Sequence, residues 1–326
     1  MSRGDLERIL VTGAVGQIGS ELTMALRERY GCENVVAAGH RTPPSPELRD
    51  SGPFEFIDVT QRESLEAIVA RYGIDTIYHM AAILSAAGEA SPQLCWNVNM
   101  NGLYHVLEIA RERSLTRLFC PSSIAAFGPE TPREDTPQEA MLRPRTMYGV
   151  TKVAGELLCD YYFRRFGVDV RGVRYPGIIS SVTPPGGGTT DYAVEIYYEA
   201  IRQNHYSCFV RQDTVLPLMY MPDCIKATID LMEADLSKLQ HHADFNLAAM
   251  SFSAGELAAE IRKHVPGFSV VYEPDPVRQA IADSWPRTID DSVAREEWGW
   301  QPSYDLASMT VDMLQKLRHR CAEGRL

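Results

Sequence analysis

A tyrosine and a lysine four residues apart, Tyr148 and Lys152, carry the clearest chemical signal in the sequence. On a helix, side chains at this spacing share one face and their tips can converge. A phenol is a weak base at neutral pH, but a neighbouring ammonium stabilises its phenolate form. Without further context such a pair more often belongs to a solvated helix surface. The hydroxyls of Ser122 and Ser123, at the end of a predicted strand, favour a catalytic cleft instead.

Three glycines near the start of the chain predict a second functional element beside the Tyr148 and Lys152 pair. Gly13, Gly16 and Gly19 are spaced G-x-x-G-x-x-G between an apolar run at 9–11 and a segment with the apolar periodicity of a helix. The stretch predicts a strand, a tight turn and a helix. Unpaired N–H groups and the helix dipole at such a turn suit a diphosphate. The alternative is an ordinary glycine-containing turn.

Strands and helices alternate along the rest of the first half. We expect strands at 9–11, 34–38, 54–59, 76–80, 118–120 and 172–177, and helices at 61–71, 91–112 and 146–166. This alternation predicts an α/β fold with a Rossmann-like, doubly wound parallel sheet and a smaller C-terminal substrate-binding lobe. We assign 1–176 and returning segments at about 215–250 to the dinucleotide-binding domain, and 177–214 and 251–326 to the smaller lobe.

The second predicted strand ends in a basic tip, Gly39-His40-Arg41, which would face the adenosine ribose of a dinucleotide. An Asp or Glu usual near this place is missing, so the ribose 2′ position could meet a hydroxyl or a phosphate. Asp58, at the end of the third strand, could bond the adenine amino group. It could equally cap the segment that begins at Thr60, and the two roles are compatible.

Composition narrows the class of partner. The chain has 326 residues and a net charge of −11, from 32 basic and 43 acidic side chains, with no basic run that would suit a nucleic acid. No apolar stretch approaches the roughly 18 residues of a membrane span, and no signal-peptide core precedes the first strand. Seven cysteines without C-x-x-C and eight scattered histidines indicate neither a disulfide framework nor a metal site. We expect a soluble, cytoplasmic protein with a small-molecule ligand and no metal.

Together the glycine turn, Ser123 and Tyr148-x-x-x-Lys152 resemble the extended short-chain dehydrogenase/reductase family. The second half resembles one branch, the short-chain L-threonine 3-dehydrogenases, in the loop 184–193, in 216–224 and 278–286, and in Asp290-Asp291-Ser292 with Trp298-Gly299-Trp300. The resemblance covers essentially the full length. That branch commonly has an Asp where Gly39 stands here.

The resemblance implies oxidation of the β-hydroxyl of L-threonine to 2-amino-3-ketobutyrate, with NAD as hydride acceptor, in threonine catabolism. It implies a catalytic group of Tyr148, Lys152, Ser123 and Ser122. The implied NAD contacts are Gly13, Gly16, Gln17, Ile18, Gly19, His40, Arg41, Asp58, Val59, Ala81, Ala82, Asn99, Tyr148, Lys152 and Tyr175. The implied substrate contacts are Ser85, Ser123, Tyr148, Gly187, Thr189, Thr190 and Trp285. By analogy, helices 91–112 and 146–166 would pair across the axis of a homodimer.

Two other functions fit the shared motifs. A nucleotide-sugar 4-epimerase or dehydratase has the same glycine turn and Tyr-x-x-x-Lys, and a non-catalytic sensor would need only the dinucleotide site. The intact Ser123, Tyr148 and Lys152 argue against the sensor. A pocket that ends in Trp285, without an evident basic cluster for a second diphosphate, argues against the epimerase.

Overall fold

The computed structural model describes residues 6–184 and 188–326. Its strands are β1 (Ile9–Thr12), β2 (Val35–Gly39), β3 (Phe54–Phe56), β4 (Thr76–His79), β5 (Arg117–Phe119), β6 (Ser122–Ser123), β7 (Val170–Arg171), β8 (Val173–Tyr175), β9 (Gly177–Ile179), β10 (His205–Cys208), β11 (Val215–Tyr220), β12 (Phe245–Asn246), β13 (Met250–Ser253) and β14 (Ser269–Tyr272). Its α-helices are α1 (Gln17–Tyr30), α2 (Pro46–Asp50), α3 (Arg62–Tyr72), α4 (Ser85–Ala90), α5 (Pro92–Trp96), α6 (Gly102–Arg113), α7 (Met147–Phe166), α8 (Tyr192–Arg202), α9 (Met221–Glu233), α10 (Ala254–Arg262), α11 (Pro276–Asp283), α12 (Ser292–Trp298) and α13 (Leu306–Ala322).

A parallel sheet of six strands, in the order β3-β2-β1-β4-β5-β7, forms the centre of the molecule. Successive side chains of a strand point to opposite faces of a sheet. Accordingly, Ile9 and Val11 of β1 belong to the core that contains Leu22 of α1, whereas Leu10 belongs to the core that contains Val106 of α6. Both faces are therefore covered by helices. The predicted Rossmann-like fold class is confirmed.

The strand predicted at 172–177 is wrong as a single element. The structure divides it into β8, which pairs with β6 and β12, and β9, which pairs with β11. Pro176 lies between them and has no N–H group to donate to a continuous ladder. The break directs the chain from the central layer towards the C-terminal part, where β11 also pairs with β13.

The third strand and the long helix also differ from their predicted bounds. The strand predicted at 54–59 ends at Phe56, and a turn follows in which the Gln61 N–H donates to the Asp58 carbonyl at 2.9 Å. The helix predicted at 91–112 is interrupted by a π-helical turn at Asn97–Asn101 between α5 and α6. Such turns often occur at functional sites.

The C-terminal part has its own apolar core, which connects α8, α10 and α13. Tyr197, Leu257 and Met313 are buried in it, and the Tyr197 hydroxyl lies 2.7 Å from that of Thr310. Trp285 belongs to the same core. The division of the chain into two lobes at the predicted bounds stays a prediction.

Within residues 6–184 and 188–326, no helix is both long and apolar enough to cross a membrane. Within the same ranges, no group of three or more His, Cys, Asp or Glu side chains is arranged to hold a metal ion.

Candidate active site

The glycine turn forms a cradle that larger residues would fill. Gly13 has a φ of +68°, in the left-handed region that favours glycine. A Cβ atom there would lie 2.7 Å from the backbone of Met80 and of Ala81, so β1 and β4 approach too closely for any side chain. A Cβ on Gly19 would overlap the carbonyl of Gly13. The backbone geometry therefore requires glycine at 13 and at 19.

Helix α1 begins directly after this turn, at Gly16, without a side-chain cap. Its first N–H groups are left for an anion, and the helix dipole adds to the attraction. The Gln17 amide nitrogen Nε2 is buried and has no hydrogen-bond partner among the described residues. The turn, with Ile18, lines a cavity of about 230 Å³. These features fit the diphosphate of a dinucleotide.

Helix α7 places the predicted tyrosine and lysine in the same cavity. The helix begins at Thr146, whose Oγ1 accepts from the Gly149 N–H at 3.1 Å. Lys152 Nζ lies 5.3 Å from the centre of the Tyr148 ring and donates to the Pro121 carbonyl at 2.7 Å. Tyr148 is only 9% exposed. Tyr148 is therefore buried and Lys152 is partly buried and hydrogen-bonded, unlike a solvated surface pair.

The two serines of β6 make different hydrogen bonds. Ser123 lines the cavity with Tyr148, and its Oγ accepts from the Ala125 N–H at 3.2 Å. Ser122 also lines the cavity, but its hydroxyl donates to the carboxylate of Glu156. We expected both hydroxyls in the cleft. That of Ser122 is hydrogen-bonded to the buried carboxylate of Glu156.

Glu156 is a residue beside the site that the sequence analysis does not predict. It forms a two-point ion pair with Arg174, at 2.9 and 2.8 Å, and both side chains are buried. Burial raises the pKa of Glu156, and the Arg174 guanidinium opposes the rise. Glu156 lies four residues after Lys152 on the same helix face, which was the available signal. The ion pair joins α7 to β8 directly beside the site.

His79, at the end of β4, is a second residue that sequence reasoning missed. Its Nδ1 lies 2.9 Å from the Thr12 hydroxyl, and its Nε2 is buried without a hydrogen-bond partner in the part of the chain that the structure describes. Burial, and then the charge of Lys152, lower the pKa of His79 to about 3. The ring is therefore neutral. It lines a small cavity of about 40 Å³ together with Lys152 and Glu156.

Asn99, predicted to contact the cofactor, lies on the π-helical turn and binds the chain segment after β4. Its Oδ1 accepts from the Ile83 N–H at 2.8 Å, and its Nδ2 donates to the Ile83 carbonyl and to Thr151 Oγ1, both at 3.1 Å. Ala81 and Ala82 precede this contact and line the cavity walls. Asn99 thus holds that segment against α7.

A third cavity, of about 410 Å³, extends from the glycine turn to the end of β2. His40, Arg41, Asp58 and Val59 line it, as predicted for the adenosine half of a dinucleotide. Asp58 Oδ1 accepts from the N–H and hydroxyl of Thr60, at 2.9 and 2.7 Å. Asp58 thus closes a local turn and does not cap a helix, because α3 begins at Arg62 with Gln61 as its N-cap and without a side-chain cap; the predicted capping role is wrong, and Asp58 lines the cavity.

The predicted substrate residues Ser85, Thr189, Thr190 and Trp285 line the 230 Å³ cavity. Thr189 is buried, and its Oγ1 has no hydrogen-bond partner within residues 6–184 and 188–326. Trp285 is packed, at 6% exposure. Gly187 lies outside the described residues.

Tyr175, predicted to contact the cofactor, lines the same cavity with its ring. Its hydroxyl points elsewhere, into a hydrogen bond with the Thr228 hydroxyl. Burial raises the pKa of Tyr175 well above its usual value. Its contribution to the cavity wall is therefore apolar.

The fold and the cavity are those of a dinucleotide-dependent α/β enzyme. A family model described as the NAD dependent epimerase/dehydratase family matches residues 9–248, so the chain belongs to that family. The predicted NAD cofactor is thereby confirmed. A relative from Staphylococcus haemolyticus, an uncharacterized epimerase/dehydratase, is 56% identical and aligns over 97% of this chain and 99% of its own.

Two solved structures match over nearly the whole chain. L-Threonine dehydrogenase from Clostridium difficile is 53% identical, with a TM-score of 0.95, over 97% of this chain and 99% of its own. A monomeric L-threonine 3-dehydrogenase from a metagenome is 51% identical, with a TM-score of 0.92, over 95% and 99%. The predicted resemblance to the short-chain L-threonine 3-dehydrogenases is confirmed.

Proposed function

We propose that the chain oxidises the β-hydroxyl of L-threonine to 2-amino-3-ketobutyrate and passes the hydride to NAD. The observation that carries this proposal is a single cavity, which Tyr148, Lys152 and Ser123 line together with the glycine turn and the buried Thr189 hydroxyl. Similarity to L-threonine dehydrogenases at 51% and 53% identity supports the choice of substrate.

The glycine turn at 13–19 would hold the diphosphate of NAD, and the residues at the end of β2 would face its adenosine half. When bound, NAD supplies the acceptor for the hydride that leaves the substrate β-carbon. Tyr148 takes the proton of the β-hydroxyl as general base. The ammonium of Lys152, 5.3 Å from the centre of the Tyr148 ring, stabilises the phenolate form of Tyr148. Ser123 donates a hydrogen bond to the reacting oxygen.

The remaining cavity suits a small polar ligand. Ser85, Thr189 and Thr190 provide hydroxyls for the amino-acid end, and no described residue is bonded to the Thr189 hydroxyl in competition with a ligand. Trp285 closes the wall with an apolar ring. A substrate with so few atoms needs this enclosure, because exclusion of water strengthens each electrostatic contact.

The direct test is the formation of NADH when the purified chain is mixed with NAD and L-threonine. UDP-glucose is the comparison substrate. NADH formation with L-threonine supports the proposal. Turnover of UDP-glucose without any reaction of L-threonine would favour a nucleotide-sugar epimerase and contradict it.

We also propose a homodimer that forms through α6 and α7. Large apolar side chains are exposed on these helices, among them Tyr104, Val150, Leu157 and Tyr161. A contiguous exposed apolar surface typically marks an interface. A cytoplasmic location is proposed as well, because all seven cysteines are free thiols.

A further inference from the structure

We propose that the adenosine end of the cofactor cavity accepts a 2′-phosphate, so that NADP binds with an affinity close to that of NAD. This inference rests on one part of the proposed function, namely that the cavity binds a dinucleotide cofactor. Binding of the cofactor needs no threonine, so the two ideas can fail separately.

The first observation concerns the end of β2. Gly39 is buried there, and a Cβ atom on it would lie 3.0 Å from the Phe54 ring and 3.2 Å from Val15 Cγ1. The Phe54 ring is in turn packed edge-on against Phe56, with their centres 5.1 Å apart. A side chain at this position would have to displace Phe54, and with Gly39 the chain lacks the carboxylate that a dinucleotide fold usually has there. A carboxylate there binds the ribose 2′-hydroxyl and repels a 2′-phosphate.

The second observation is the charge of the cavity wall. Among the described residues that line this cavity, the ionisable side chains are His40, Arg41 and Asp58, two basic and one acidic. Asp58 is already committed, to Thr60 through Oδ1 and to His40 Nε2 at 3.7 Å through Oδ2. Burial alone would raise the pKa of Asp58, but the Thr60 hydrogen bonds and the charges of His40 and Arg41 lower it overall. The wall therefore offers a phosphate one guanidinium, that of Arg41, while the Oδ1 of its carboxylate, Asp58, is already bonded to Thr60.

The third observation is that Arg41 is available. It is exposed at the cavity rim and forms no ion pair or hydrogen bond with any residue of the described ranges. The neighbouring Arg49, on α2, is by contrast paired with Asp50 at 2.7 Å. A free guanidinium presents a planar fork of donors that matches phosphate oxygens in a two-point contact. Arg41 is thus the specificity residue for the 2′ position.

Isothermal titration calorimetry on the purified full chain tests the proposal without any turnover. The ligands are NAD, NADP, and the fragments 5′-AMP and adenosine 2′,5′-bisphosphate. We expect the Kd of NADP to lie within tenfold of that of NAD, and the bisphosphate to bind more tightly than 5′-AMP. A Kd for NADP more than tenfold above that of NAD would overturn the proposal.

Substitution of the arginine assigns the effect. Arg41→Ala should weaken NADP binding at least tenfold more than it weakens NAD binding, and Arg49→Ala, the matched control, should change neither. An equal loss for both cofactors in Arg41→Ala would overturn the assignment of Arg41. Gly39→Asp should raise the ratio of the NADP Kd to the NAD Kd at least tenfold. Because this variant must displace Phe54, its circular dichroism is compared with wild type, and the Arg41 result decides if it does not fold.

Discussion

His79 and Lys152 line the same buried cavity, and the lysine charge adds to burial in lowering the pKa of His79 to about 3. The imidazole is therefore neutral wherever the protein is folded near neutral pH. A neutral ring beside Lys152 does not repel the ammonium that supports Tyr148. The hydrogen bond between His79 and Thr12 fixes this ring against the strand that leads into the glycine turn.

The lowered pKa of His79 makes stability depend on pH. In the unfolded chain this histidine has its ordinary value of 6.5, so below that pH the unfolded state takes up a proton that the folded state does not. Its stabilising contribution is therefore complete above pH 6.5 and is lost as the pH falls towards about 3. Between pH 7.5 and 5.5 we expect a loss of about 1 kcal/mol in the free energy of unfolding.

Urea denaturation of wild type and His79→Gln at these two pH values measures this contribution. The variant should lack the His79 part of the pH dependence, whereas His205→Gln, at an exposed histidine, should retain it. The same pH dependence in wild type and His79→Gln would show that His79 does not stay neutral in the folded protein.

Tyr148→Phe should fold and bind NAD but lose turnover by about 10²–10⁴-fold, since general-base removal typically has this effect. The measurement is kcat with L-threonine, together with NAD binding by calorimetry. Tyr161→Phe is the matched control, because Tyr161 lies on the same helix and is 53% exposed. If Tyr148→Phe kept more than about a tenth of the wild-type rate, another group would have to be the base.

Thr189→Val should separate substrate binding from stability. Loss of the hydroxyl should lower kcat/KM by about 5–150-fold, which corresponds to about 1–3 kcal/mol for a polar contact of the substrate. The free energy of unfolding should stay constant or rise, because a buried hydroxyl without a partner is removed. Thr189→Ser, which keeps the hydroxyl, should retain most of the activity. Equal kcat/KM for Thr189→Val and wild type would remove Thr189 from the substrate site.

Leu157→Glu should convert the proposed homodimer to a monomer. Leu157 is 67% exposed on α7, and a charge in an apolar interface is costly to bury. Sedimentation velocity measures the mass. Val277→Glu, at a residue 63% exposed on α11, is the control and should leave the dimer intact. A wild-type chain that sediments as a monomer would contradict the proposal.

The parts of the site that the sequence predicts are those built from local spacing. Gly13, Gly16 and Gly19 follow from one turn, and Tyr148 and Lys152 follow from one helix face. The orientation of such groups needs only the periodicity of a single element. The central sheet follows similarly, from the alternation of strands and helices.

The parts that escaped prediction depend on contacts between distant segments. His79 acquires its role from Thr12, 67 residues away, and Glu156 acquires its role from Arg174 across the layer between α7 and β8. The interruption at Asn97–Asn101 is of the same kind, since Asn99 is oriented by the backbone of Ile83. The hydrophobic periodicity of one segment does not indicate such partners, because each segment taken alone has the pattern of an ordinary strand or helix.

The central claim is that the hydride leaves the β-carbon of L-threonine, and deuterium transfer tests it most directly. L-Threonine carrying deuterium at C3 is incubated with NAD and the wild-type chain, and the NADH is analysed by mass spectrometry. A parallel incubation uses L-threonine with deuterium at C2. We predict NADH one mass unit heavier from the C3-labelled substrate and unlabelled NADH from the C2-labelled one. Unlabelled NADH from the C3-labelled substrate, or no NADH at all, would contradict the account.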